Sequence, residues 1–183
     1  MENWVNAIKA DLFRLYPGPF TIGRLFKGFR SKGFKFLFFL RIASLSNNPF
    51  LIFSARGVLY LIMYRYGFQI PRKTRIGPGF FIGHFGTIVI SRNAVIGKNC
   101  NIAHNVTIGS ARGKRSGAPT QGDAVWIGAG AVIVGRITIG SDVLIAPNAF
   151  VNFDVPSNSV VIGNPARIIS KIDATHEYIH NRL

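Results

Sequence analysis

The sequence is short of acid. Against 22 lysines and arginines it has seven aspartates and glutamates, a formal net charge of +15. No carboxylate occurs between Asp11 and Asp123, and residues 1–75 alone carry 13 basic and two acidic residues, a net +11. So lopsided an excess predicts an anionic partner for the first part of the chain: a membrane surface, a nucleic acid or an anionic polymer. No nucleic-acid recognition motif accompanies it, so nucleic acid is not the expected partner. Cysteine is almost absent. Cys100 stands alone, which excludes an internal disulfide framework and a zinc knuckle. Long apolar runs are missing too. No window reaches about 18 uncharged apolar residues, the length that spans a bilayer. The best are residues 36–40 and residues 50–64, the latter with Arg56 inside. The first 13 residues hold Glu2, Lys9 and Asp11 where the apolar region of a signal peptide belongs. The expected location is the cytoplasm, peripheral on the inner face of the cytoplasmic membrane if the basic segment attaches there.

What is present divides near residue 68. Residues 12–68 interleave phenylalanine and leucine with lysine and arginine. Residues 31–45 read as one helix, stopped by Asn47, Asn48 and Pro49. Residues 49–66 read as a second, with proline in its first turn and Gly67 after its end. Such helices pack on a partner or lie in a bilayer interface with basic side chains reaching the headgroups. From Ile76 the texture changes to a repeat of six. Ile76, Ile82 and Ile88 are followed, after a two-residue shift, by Ile90, Ile96, Ile102 and Ile108. After an interruption come Ile127, Ile133, Ile139, Ile145 and Val151. Small or β-branched residues recur four positions later, among them Ala94, Cys100, Val106, Ala131, Val143 and Ala149.

A sustained period of six predicts a mainly β fold, a parallel β-helix of hexapeptide repeats, and the resemblance given below implies that it is left-handed. Each isoleucine fills a triangular prism, and the small residue points inward beside it. The expected organisation is a helical region over 1–68, the β-helix over 69–172 with an extruded loop at 110–123, and a tail, 173–183, read as a short exposed helix. His84 and His104 each lie two positions after a ladder isoleucine. They should therefore project from one corner on adjacent coils, about 5 Å apart at the backbone. Histidine suits the removal of a proton from an attacking hydroxyl near neutral pH. Two histidines fall short of the three that a zinc site of this kind wants, so no metal is expected. His176 and His180, in the tail, read as a surface pair. Cys100 reads as core, and Trp126 as a cover for the base of the loop.

Residues 76–87 (IGPGFFIGHFGT), 94–99 (AVIGKN), 106–109 (VTIG), 127–131 (IGAGA) and 163–167 (GNPAR) carry a resemblance covering residues 36–172. The chain resembles the left-handed β-helix acyltransferases, most closely the serine acetyltransferase-like branch. The resemblance implies a homotrimer with active sites between neighbouring prisms, and acetyl-CoA as acyl donor. It implies His84 as general base, with His104 catalytic or supporting. It places the CoA pantetheine near Ala129, Gly130 and Pro147 and its phosphates near Arg167 and Lys171. Arg112, Lys114 and Arg115 in the loop are candidates to hold an anionic acceptor or the nucleotide of CoA. Carboxylate help for His84 would come from Asp123 or another chain; otherwise Gln69, Asn105 or a backbone carbonyl orients the ring, and Gln69 and Asn105 are also candidates to bind the substrate. Two departures stand out. True serine acetyltransferases carry a large, acidic-residue-bearing helical domain before the prism, whereas here only about the last two helices have counterparts, and they are basic and phenylalanine-rich. Those enzymes also pair the catalytic histidine with an aspartate just before the prism and place a second histidine in the loop. The matching neighbourhoods here hold Gln69 and Ala118. On these departures the expected acceptor is a hydroxyl of a saccharide, capsular, exopolysaccharide or lipid-linked. Serine is the alternative within enzymes. A non-catalytic basic scaffold that binds membrane or nucleic acid is the alternative outside them.

Overall fold

The computed structural model describes residues 3–183. Four helices come first: α1 (Trp4–Leu15), α2 (Ile22–Gly28), α3 (Lys32–Leu45) and α4 (Pro49–Tyr66). The two helices read from the sequence, α3 and α4, are each capped by a side chain. Ser31 Oγ accepts from the Phe34 N–H, and Asn48 Oδ1 accepts from the N–H groups of Phe50 and Leu51. Gly67 ends α4 in the left-handed region, φ 72°.

From Phe68 the chain winds through short strands into three sheets, a left-handed β-helix. The sheets stack five, four and six strands, all parallel except Arg167–Ser170, which returns antiparallel against Ser159–Ile162. The isoleucine ladder explains the winding, because residues six apart fall on successive faces. Ile90, Ile108, Ile133 and Val151 align on the first sheet, and Ile82, Ile102, Ile127, Ile145 and Val161 on the third. Ala94, Cys100, Val106, Ala131, Val143 and Ala149 fill the inward slots between them, all buried. The two-residue shift is taken at a corner: Ile88 pairs with Val106, so the turn holding His84 is two residues longer than the turn holding His104.

Three features depart from the sequence reading. The interruption after Ile108 conceals a strand, Thr120–Gln121, which pairs with Val95 on one side and with Thr138 and Ile139 on the other. The loop therefore rejoins the prism before residue 123, and Gln121 occupies an isoleucine position. Second, the tail is a run of turns, not an exposed helix. Ala174, Thr175 and Ile179 are buried along the corner between the second and third sheets. Third, Trp126 packs on Tyr178 of that tail, ring centroids 4.8 Å apart, and not on the loop.

The helices close the prism's first coil. Phe68 and Phe80 fill its interior, and Phe36 of α3 stacks edge-on against Phe68 at 5.1 Å. At Gly33 any side chain would strike the carbonyl of Ile82, so α3 seats directly on the third sheet. A buried charge cluster holds this joint. Asp11 of α1 accepts from Arg41 of α3 at 2.8 and 3.1 Å, and also from the Phe80 N–H at 3.0 Å. Arg41 donates onward to the carbonyls of Ile76 and Gly77. Arg14 donates to the carbonyl of Gly79, to Asn101 Oδ1 and to the carbonyl of His180.

Candidate active site

The corner between the third and first sheets carries the histidines. Ile82 pairs with Ile102, so His84 and His104 stand one coil apart. Their ring centroids are 5.8 Å apart and their planes cross at 85°. His84 is exposed, and His104 is half-buried with its Nδ1 buried and without a hydrogen-bond partner. Phe85, 57% exposed, projects beside His84, and the Lys32 ammonium lies 3.3 Å from its ring centroid. This cation–π contact ties the start of α3 to the longer histidine turn. Neither Lys32 nor Phe85 was singled out from the sequence, where each belongs to a crowd of lysines and phenylalanines.

The same corner continues down the prism. Ile102 pairs with Ile127, and Ile145 follows, so Ala129 and Pro147 stand on the next two coils, each step about 5 Å. Gly128 lies so close to Pro147 that a Cβ there would come within 2.7 Å of its ring. The result is a narrow, small-residue strip leading away from the histidines. Gly130 (φ 73°) makes the turn, and its N–H donates to the carbonyl of His104 at 3.1 Å. Asn105, also left-handed at φ 57°, holds the equivalent turn one coil earlier. Arg167, opposite Ile162, ends this strip.

Other candidates lie elsewhere. Lys171 joins Asn158 at the second corner, a full strand length from Arg167. Arg112, Lys114 and Arg115 are exposed on the loop, which leaves from the corner between the first and second sheets. Arg115 is already engaged there, with an exposed ion pair to Asp154 at 3.7 Å. Gln69 lies exposed on the first sheet beside Val89, lining a depression with Tyr64 and Thr87. Asp123 is at the second corner, where Oδ1 accepts from the Lys98 N–H at 2.7 Å. It is therefore removed from His84 by a prism face. Among the described residues no side-chain hydrogen bond reaches either imidazole from Gln69, Asn105 or a carboxylate. Cys100 is core: burial pushes its thiol up to about 12, and its sulfur faces the carbonyls of Lys98 and Gly122. Among the described residues no three His, Cys, Asp or Glu side chains gather as metal ligands.

Within one chain, then, the structure gathers His84, His104, Ala129, Gly130, Pro147 and Arg167, and leaves the loop cations on another corner. An exposed imidazole at the head of a narrow strip can take a proton from a hydroxyl attacking an acyl thioester laid along that strip.

Comparison with known proteins agrees with this geometry. The family model for bacterial transferase hexapeptide (six repeats) matches residues 122–152. A serine acetyltransferase of Helicobacter pylori (strain ATCC 700392 / 26695) is 37% identical over 134 residues, covering 72% of this chain and 77% of that protein. The structure of Neisseria gonorrhoeae serine acetyltransferase in complex with serine is 32% identical, with a TM-score of 0.70 over 90% of this chain and 68% of that one. The serine acetyltransferase of Brucella abortus strain S19 in complex with coenzyme A is 31% identical, with a TM-score of 0.72 over 92% and 68%. The share of the relative that is spanned is 77% for the Helicobacter pylori enzyme and 28% for serine acetyltransferase 3, mitochondrial, of Arabidopsis thaliana. These matches overturn the expectation of a saccharide acceptor. That reading rested on Gln69 and Ala118 standing where an aspartate and a histidine were expected, and every relative named here is a serine acetyltransferase.

Proposed function

Since the chain belongs to the serine acetyltransferase family, hexapeptide-repeat acyltransferases that take their acyl group from acetyl-CoA, we propose that it transfers acetyl to the side-chain hydroxyl of serine. The observation that carries this is the pair His84 and His104 at the head of the strip, in a chain related over 72% of its length to a serine acetyltransferase. His84 takes the hydroxyl proton as the serine oxygen attacks the thioester carbonyl. The new C–O bond forms, the C–S bond breaks, and the imidazolium returns the proton to the departing CoA sulfur. Ala129 and Pro147 shape the channel for the pantetheine arm, and Arg167 meets a phosphate at its end. Lys171 faces another corner and takes no part.

The working unit is a closed trimer. The second corner of each prism is covered by its own tail and by the α1–α3 cluster. The histidine corner and the loop corner remain, on different edges of the prism. A head-to-tail ring sets the loop of one subunit against the histidines of the next and so completes the site with Arg112 and Lys114. The test is CoA release from acetyl-CoA with and without serine, alongside sedimentation equilibrium. Serine-dependent release from a trimer supports the proposal. Release that ignores serine, or an active monomer, overturns it.

A further inference from the structure

Helix α4 is apolar on both sides. Toward the protein it turns Ala55, Leu59 and Tyr66, all buried. Its other side carries Phe50, Phe53, Tyr60, Leu61 and Tyr64, each between 63% and 77% exposed. At the angular step of an α-helix these five fall within an arc of about 100° and run for about 21 Å. Gly57 sits inside the arc, where an added side chain would meet nothing within 4 Å. Arg56 and Arg65, both exposed, flank it on either edge. A helix apolar all round is ordinarily buried all round, and an exposed stripe of this kind marks a contact.

We propose that this face of α4 lies on an anionic lipid surface, its rings in the headgroup–acyl boundary and Arg56 and Arg65 reaching lipid phosphates. Charge selects the occupant. No carboxylate occurs from residue 12 to residue 122, and Asp11 is buried against Arg41. Arg72, Lys73 and Arg75, in the segment after α4, are exposed as well. A second copy laid on this face would set Arg56 and Arg65 against the same cations of its own stripe, with no carboxylate from residues 12–122 to meet them. An anionic bilayer supplies both the apolar layer and the opposite charge. The helix lies on the surface and does not cross it, since among the described residues no helix is long and apolar enough to span a membrane. Phe34 and Phe36 of α3 are buried and belong to the fold; within residues 12–68 the exposed large apolar side chains are those of the α4 stripe and, apart from it, Phe20, Ile22 and Phe26 around α2. This inference is independent of the acceptor.

Flotation of the full chain with phosphatidylcholine vesicles, with and without added phosphatidylglycerol, tests it. Binding is expected to the anionic vesicles only, and to be weakened but not abolished by salt. The triple variant Phe50→Ser, Phe53→Ser, Leu61→Ser should bind at least about tenfold less, because the apolar contact is lost. The double variant Arg56→Gln, Arg65→Gln should bind several-fold less. Both should keep the wild-type thermal midpoint and sedimentation behaviour, since the altered side chains face solvent. Absence of wild-type binding to anionic vesicles at low salt overturns the proposal, as does undiminished binding by both variants. A triple variant that loses self-association assigns the face to a second copy and overturns it equally.

Discussion

At the scale of single residues, His84 and Gln121 make opposite points. His84 is exposed at the head of the strip, beside the His104 ring, with no side-chain hydrogen bond among the described residues. His84→Ala should lower turnover by about two to four orders of magnitude with the fold intact, as expected on losing a general base. A variant that retains near-normal turnover would remove His84 from the chemistry. Gln121 is trapped. It is 3% exposed between Ile96 and Ile139, and neither atom of its amide has a hydrogen-bond partner. A buried amide without partners costs about 1–3 kcal/mol. Gln121→Ile restores the ladder and should raise stability by about that amount, read as a higher denaturant midpoint at unchanged slope. A lower midpoint would mean that the amide is satisfied by buried water.

At the scale of elements, the joint between helices and prism is built around a buried ion pair. Asp11 is fully enclosed; burial pushes its carboxyl up, against the opposing pull of the Arg41 guanidinium and the Phe80 N–H. Removing one partner of such a pair leaves the other charge buried and uncompensated. Asp11→Ala should therefore cost about 3–5 kcal/mol, and a second change, Arg41→Met, should recover much of it. Urea unfolding of the two variants checks both statements. This joint was illegible in the sequence, where Asp11 is one of two acids in a basic segment. Its importance comes from a contact with Arg41, 30 positions away, and no local pattern encodes that. The prism was legible for the opposite reason. Its period of six is local, and inward positions admit only a narrow set of side chains. Where a polar residue took an inward position, at Gln121, the pattern lost a strand. The histidine corner was legible because its position follows from counting along the ladder. The support of Lys32 on Phe85 was not, because it joins two elements that the repeat does not connect.

At the scale of the whole molecule, the loop, the histidines and the tail each take one corner of the prism, and the tail is held by Asp142. Burial would raise that carboxyl. The hydroxyl and N–H of Thr175, the N–H of Ala174 and the nearby Arg182 outweigh burial and hold it below the usual aspartate range. A carboxylate depressed by folding stabilises the native state above its unfolded value, and that contribution is lost as pH falls through the folded value. Wild type should thus melt above Asp142→Asn at neutral pH, with the gap closing at pH values below the usual aspartate range. Asparagine tolerates the left-handed backbone here (φ 54°), so the comparison reads charge and hydrogen bonding. Thermal melts across a pH series decide it; a gap that stays constant into acid would remove Asp142 as the cause.

That tail changes what kind of object the solenoid is. Stacked repeats ordinarily behave as a line of neighbours, free to fray coil by coil from either end. Here the last residues climb from the lower coils, where Ala174 and Thr175 meet Asp142, to Asn99, Asn101 and Arg14 near the other end. The lower coils cannot peel away without pulling on α1, and α1 cannot lift without freeing residues 180–181. Fraying at one end is thereby made conditional on fraying at the other, and a modular stack melts as one cooperative unit, with the fluorescence of Trp4 and Trp126 reporting the same midpoint.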